Sequence, residues 1–146
     1  MVTVSRAPLP LSCGTLVIGP DQRILLCHVT NTAHWDIPKG MQDPGEDPLA
    51  AAMRELHEEA GIAFAPERFD DLGTFDYRRD KRLHLYQVQA GDSLGDLSTL
   101  ACSSYFPHPV SGKPTPETDA FRWAARDELA RLCWPRMGRL LLSLNW

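Results

Sequence analysis

Three glutamates, Glu55, Glu58 and Glu59, stand at i, i+3 and i+4 in the segment PLAAAMRELHEEA. On a wheel of about 100° per residue they share an arc of roughly 100°, with Arg54 beside Glu58. Like charges at that spacing destabilise an isolated helix by about a few tenths of a kcal/mol per pair, so a compensating cation would relieve them. Hard divalent ions such as Mg2+ or Mn2+ take oxygen ligands, and Mg2+ is commonly held by a few carboxylates together with substrate phosphates. The same face would repel a polyphosphate unless a metal bridged the two. A solvated acidic helix face is the competing reading, and the wheel alone does not choose between them.

The acidity is local. Between Gly40 and Ile62 six acids (Asp43, Glu46, Asp47, Glu55, Glu58, Glu59) face one base, Arg54, while the chain of 146 residues carries a net charge of only −4. A field suited to nucleic acid in general is therefore not expected, and no DNA-binding appendage is visible. With 43% hydrophobic and 23% charged residues the chain suits one domain, residues 1–146, with one sizeable core, and excludes disordered, collagen-like and coiled-coil classes. No apolar run approaches 18 residues, so no membrane span is expected. Cys13, Cys27, Cys102 and Cys133 lie far apart with no C-x-x-C pair, which argues against a zinc ribbon or a thioredoxin-type site. The N-terminus, MVTVSRAPLPLS, lacks an apolar signal core, and a cytoplasmic location is expected.

The elements that position the glutamates are legible in outline. Met1 to Pro10 reads as a loose lead-in. Strands are predicted at Ser12–Gly19 and Ile24–Val29, forming a hairpin about Gly19-Pro20-Asp21. Asn31–Pro44 reads as loop with a short extended piece at Trp35–Ile37. The glutamate helix is predicted from Asp47, a suitable N-cap followed by Pro48, to Ala60, with Gly61 as the left-handed residue beyond it. Leu49, Ala52, Met53, Leu56 and Ala60 form its core stripe. Two further strands follow at about Phe69–Tyr77 and Leu83–Ala90, then a long stretch, Gly91–Asp119, that reads mostly as loop. A last strand at Phe121–Ala124 and helices at Asp127–Leu132 and Pro135–Leu144 close the chain, the last with Met137, Leu140, Leu141 and Leu144 on one face.

The wider spacing resolves the ambiguity of the wheel. Gly40, five residues, Glu46, seven residues, then Arg54, Glu55, Leu56, any residue, Glu58, Glu59, any residue, Gly61 and Ile62 resembles the Nudix box of the Nudix hydrolase superfamily at every specified position. Seven fixed identities and two aliphatic positions arise by chance on the order of once per billion start points. The resemblance implies an α+β fold in which a mixed, curved β-sheet is sandwiched between α-helices. It implies hydrolysis of a pyrophosphate bond in a nucleoside diphosphate linked to another moiety, a nucleotide-type small molecule, with Mg2+ or Mn2+. Glu55, Glu58 and Glu59 match the family's metal-binding glutamates, and the backbone near Lys39 and Gly40 its carbonyl ligand. Arg54 matches the arginine that orients the glutamates, and Glu46 the outer acid. Glu55 or Glu59 is the implied base, and Glu117 or Asp119 an additional loop acid, with Glu117 preferred.

Trp35-Asp36-Ile37-Pro38-Lys39-Gly40 resembles the W-x-x-P-K-G lead-in of Ap4A-type dinucleoside polyphosphate hydrolases. Tyr77 sits where those enzymes tend to have an aromatic able to stack on a base, although a strand-end tyrosine is more often core or rim. Arg78, Arg79, Lys81 and Arg82, opposed by Asp80, suit additional phosphates or a hairpin tip kept soluble. His28, His84 and Tyr86 are weaker candidates for a cleft. Dinucleoside polyphosphates are the leading substrate class. The alternatives are house-cleaning hydrolysis of oxidised nucleoside triphosphates of the MutT kind, removal of the 5′ pyrophosphate from RNA, and a non-catalytic nucleotide sensor.

Overall fold

A computed structural model describes residues 9–146; the lead-in expected at Met1 to Pro10 therefore falls almost wholly outside the described residues. The run LSCGTLVI forms β1 (Leu11–Ile18) and is buried on both faces over nearly its whole length. That is what a continuous apolar run predicts for a central strand. After a turn at Pro20–Gln22 come β2 (Ile24–Val29) and β3 (Trp35–Asp36). Next are β4 (Lys39–Met41) and the long helix α1 (Pro48–Ala60). Then β5 (Asp70–Arg78) and β6 (Lys81–Gln89) form a hairpin. β7 (Tyr105–Pro107), β8 (Pro114–Pro116) and β9 (Thr118–Ala124) lead to α2 (Leu129–Leu132) and α3 (Pro135–Ser143).

The main sheet runs β3-β2-β1-β6-β5, with β4 also paired to β1 and β9 to β2. It is mixed: β1 lies parallel to β6 along its full length and antiparallel to β2 and β4. Alternation along β1 divides the core between the two faces. Leu16 and Ile18 join Leu129, Met137 and Leu141 of α2 and α3, while Cys13 and Val17 join Ala52, Leu56 and Ala60 of α1. The architecture is thus an α+β sandwich, with α1 on one face and the C-terminal helices on the other.

Helix α1 begins and ends as its residue types require. Asp47 accepts a hydrogen bond from the Leu49 amide, Pro48 occupies the first turn, and Gly61 takes φ 71° while its amide donates to His57. Three expectations need correction. Residues 39–41, read as loop, form a strand. Its backbone pairs with β1 at Ser12, Cys13 and Gly14, and a side chain on Gly14 would press to 2.8 Å from the Lys39 Cβ. The predicted β1–β2 hairpin is paired only where Ile18 meets Ile24, after which β4 takes that side of β1. The stretch 91–119 contains the separate β7–β8 hairpin, which tolerates Pro107, Pro114 and Pro116 because it has only two strands, both edges. β9 begins at Thr118, so Asp119 is a strand residue. Among the described residues no disulfide forms, and no helix is long and apolar enough to cross a membrane.

Candidate active site

Arg54 organises the acidic cluster. Its Nε and Nη2 grip the two oxygens of Glu46, each at 2.9 Å, a bidentate pair that ties the loop before α1 to the helix. Nη2 also donates to the Met41 carbonyl, and Nη1 reaches Glu55 at 2.8 Å and Glu58 at 3.2 Å. One guanidinium thus fixes three carboxylates. The hydrogen bonds from Arg54 hold the Glu46 carboxyl down to about 2. Glu55 is 8% exposed, and burial raises its carboxyl despite Arg54. Its carboxylate rests against Gly40, where any Cβ would come within 2.1 Å of it. Only glycine admits that contact.

Glu59 stands apart from the arginine. Its Oε2 accepts from the Lys39 amide at 2.8 Å, and burial pushes its carboxyl up to about 8. The Lys39 side chain pairs with Asp36 at 3.2 Å; burial pulls its ammonium down, but Asp36, Tyr77 and Glu59 together raise it above the ordinary lysine value. Pairing with β1 therefore aligns Lys39 and Gly40 under Glu59 and Glu55, two glutamates one turn apart on the helix.

Glu59 and Lys39 open onto a cavity of about 880 Å³. Arg78 and Arg79 from the β5–β6 turn, Arg136 from the first turn of α3, and Glu117 also line it. Glu117 is clipped on both sides of its peptide unit, its amide donating to Ser104 and its carbonyl accepting from Thr30. Asp119 instead pairs with His28 Nδ1 and is not among the lining residues. Tyr77 lines the cavity but is only 8% exposed, with Lys39 Nζ and Arg78 Cζ at 6.0 and 5.7 Å from its ring centre. Arg82 lies outside, pairing with Asp76 on the opposite pleat from the buried Leu83. His84 and Tyr86 stack on each other, with His84 bonded to Asp71 and Thr74 and Tyr86 in the core cluster of α1, and they too are outside the cavity.

The donors near the cavity fit a hard divalent ion: carboxylates and backbone oxygen, two of the carboxyls buried and raised in a way that a cation would reverse. Among the described residues no three acidic, histidine or cysteine side chains already close on one point. Arg54 and the Lys39 amide hold the glutamates in its place, which suits an ion that keeps several waters. Phe106, Trp134 and Arg136 were not singled out from sequence. Only Arg136 carried a signal, since a cation in the first turn of a helix opposes the helix dipole and needs another reason to be there.

A model of the NUDIX domain matches residues 8–143. The chain is 32% identical over 143 residues to an uncharacterized 17.7 kDa protein of the e-segB intergenic region of Enterobacteria phage T4, covering 92% of this chain and 94% of that one. It is 36% identical over 109 residues to an RNA pyrophosphohydrolase of Rhizobium meliloti, but spans only 60% of that protein's length. An Ap4A hydrolase of C. elegans, solved as a binary complex, superposes with a TM-score of 0.62 at 22% identity over 91% of this chain and 93% of that one.

Proposed function

Since the chain belongs to the Nudix hydrolase family, we propose that its cavity hydrolyses the pyrophosphate bond of nucleotides bearing a long phosphate chain, dinucleoside polyphosphates foremost. The observation that carries this reading is the group of four cations in the cavity wall. Lys39, Arg78, Arg79 and Arg136 line it together with Glu59 and Glu117, with Asp36, which pairs with Lys39, and with Asp80. A chain of phosphates lying along that wall meets several charge-assisted donors.

Glu55, Glu58, Glu59 and the backbone at Gly40 would hold Mg2+ or Mn2+. The ion, when bound, supplies polarisation of phosphoryl oxygens and neutralises their charge. Glu59 takes the proton from the attacking water, because it alone of the three lines the cavity, while Glu55 is turned onto Gly40 beneath Arg54. Glu117 faces the same space and assists. Lys39 and the arginines hold the phosphates in line and carry the charge that develops on the leaving group. Arg54 keeps Glu55 and Glu58 in register and does not touch substrate.

Removal of the 5′ pyrophosphate from RNA is the second reading. A shallower concavity of about 410 Å³ shares Tyr77, Arg78, Arg79 and Arg136 with the main cavity, so the cationic wall continues past it. The Rhizobium meliloti relative is an RNA pyrophosphohydrolase. Product analysis with Ap4A, ADP-ribose, a nucleoside triphosphate and 5′-triphosphate RNA decides between the two. Turnover of Ap4A that needs Mg2+ or Mn2+ and exceeds the others supports the first, RNA preference moves the assignment to the second, and no metal-dependent turnover of any of them removes both.

A further inference from the structure

The cavity has one aromatic wall whose ring is backed rather than occupied. Trp134, the N-cap residue of α3, is half-buried and lines the cavity. The imidazole of His34 stacks on it with centroids 4.2 Å apart and planes 25° from parallel, and His34 is not a lining residue. One face of the indole is therefore covered from behind. His34 is held in the turn between β2 and β3, where the Val29 amide donates to its carbonyl and its own amide donates to Thr32 Oγ1. Its Nδ1 is buried without a hydrogen-bond partner. An unsatisfied buried polar atom costs free energy, so a hydrogen bond at Nδ1 is not what holds the ring there.

Two more aromatic side chains line the cavity, Tyr77 and Phe106, the latter on the two-stranded β7–β8 hairpin. Tyr77 carries Lys39 and Arg78 near its faces. Trp35 has Arg122 over its ring and His28 at its edge, and Trp146 has Arg126 over its ring at 4.5 Å. Trp123 fills the space beside Gly19. Trp134 alone among the tryptophans meets the cavity.

We propose that Trp134 is the surface on which the base of the substrate stacks, and that His34 is a positioning residue holding the indole in that plane. This rests on the reading of the cavity as a nucleotide site. Aromatic faces accept bases of any type, so the contact supplies affinity with little discrimination among bases, while the arginines and Lys39 address the phosphates.

Calorimetric binding separates the base from the phosphates and does not depend on turnover. The probes are methylene-bridged analogues of ATP and GTP, which resist hydrolysis, and tripolyphosphate, which has no base, each with Mg2+. Trp134→Ala should weaken analogue binding roughly tenfold to a hundredfold while leaving tripolyphosphate unchanged, and Trp134→Phe should recover most of the loss. His34→Ala should weaken the analogues by a smaller factor, and His34→Phe, which keeps a flat ring behind the indole, should restore them. Unchanged tripolyphosphate binding also shows that each variant is folded. Wild-type protein that binds neither analogue, a Trp134→Ala variant that binds them normally, or equal losses on tripolyphosphate overturn the proposal; normal binding by His34→Ala overturns the positioning role. Tight, Trp134-dependent binding with no hydrolysis of the parent nucleotides upholds this inference and removes the hydrolytic reading instead.

Discussion

At the residue scale Glu59 combines burial, a raised carboxyl and access to the cavity. Its folded pKa of about 8 lies above the unfolded value near 4.3, which sets the sign of its contribution. Below the unfolded value both states hold the proton. Between the two values the folded state holds a proton that the unfolded chain has released, so metal-free stability falls as pH rises from about 4.5 to 8. Chemical denaturation in chelator should show this decline in the wild type and a flatter profile in Glu59→Gln. The same variant should lose turnover by roughly 10²–10⁴-fold, as removal of a proton acceptor requires, with its far-UV spectrum intact. Glu58→Gln should also lose most turnover in Mg2+. Full activity of either variant would remove that residue from the machinery.

At the scale of elements, the site is the meeting of β4 with α1. Gly40 and Glu55 are in contact because β1 holds β4 directly beneath the helix. Gly40→Ala should displace the Glu55 carboxylate and not the core, so kcat should fall at least tenfold while the thermal midpoint changes little. Arg54→Lys tests the same junction from the helix. Lysine keeps the charge but lacks the fork that grips both oxygens of Glu46 while reaching Glu55 and Glu58. A thermal midpoint lowered by several degrees together with reduced kcat is expected. A shift in KM alone would mean that Arg54 addresses substrate.

Over the whole molecule, three distant segments supply the cationic wall: β4, the β5–β6 turn and α3. Arg79→Ala and Arg136→Ala should raise KM for a four-phosphate substrate more than for a triphosphate, and the difference should shrink with added salt, because exposed charges are screened within about 10 Å at 0.1 M. Arg82→Ala, outside the cavity, is the control and should leave the preference unchanged. A divalent ion that binds only the folded state should stabilise it by about 2.7 kcal/mol at a hundredfold excess over Kd. A thermal midpoint that does not move between chelator and millimolar Mg2+, with nucleotide present, would contradict the metal assignment.

What the chain alone determined was local. The caps at Asp47 and Gly61, the spacing of Arg54 to Glu59 and the apolar stripe of α1 all act within a few turns of one helix, where hydrogen bonds and side-chain neighbours are set by residue number. β1 and β6 were legible for a similar reason, since apolar residues in a run or in alternation report burial directly. Tertiary structure decided the remainder. β4 is too short and too rich in turn formers to announce itself, and exists because β1 offers it an edge. Of the two candidate acids after Pro116, Glu117 lines the cavity and Asp119 does not, a difference made by where β9 begins and how a bulge aligns it with β2. Arg79 and Arg82 are likewise separated by the turn and the two-residue pleat. Trp134 and Arg136 reach the glutamates across more than 70 residues of chain, and Phe106 across more than 40. Those meetings depend on how the faces of one sheet are packed, and no periodicity within a single element encodes them.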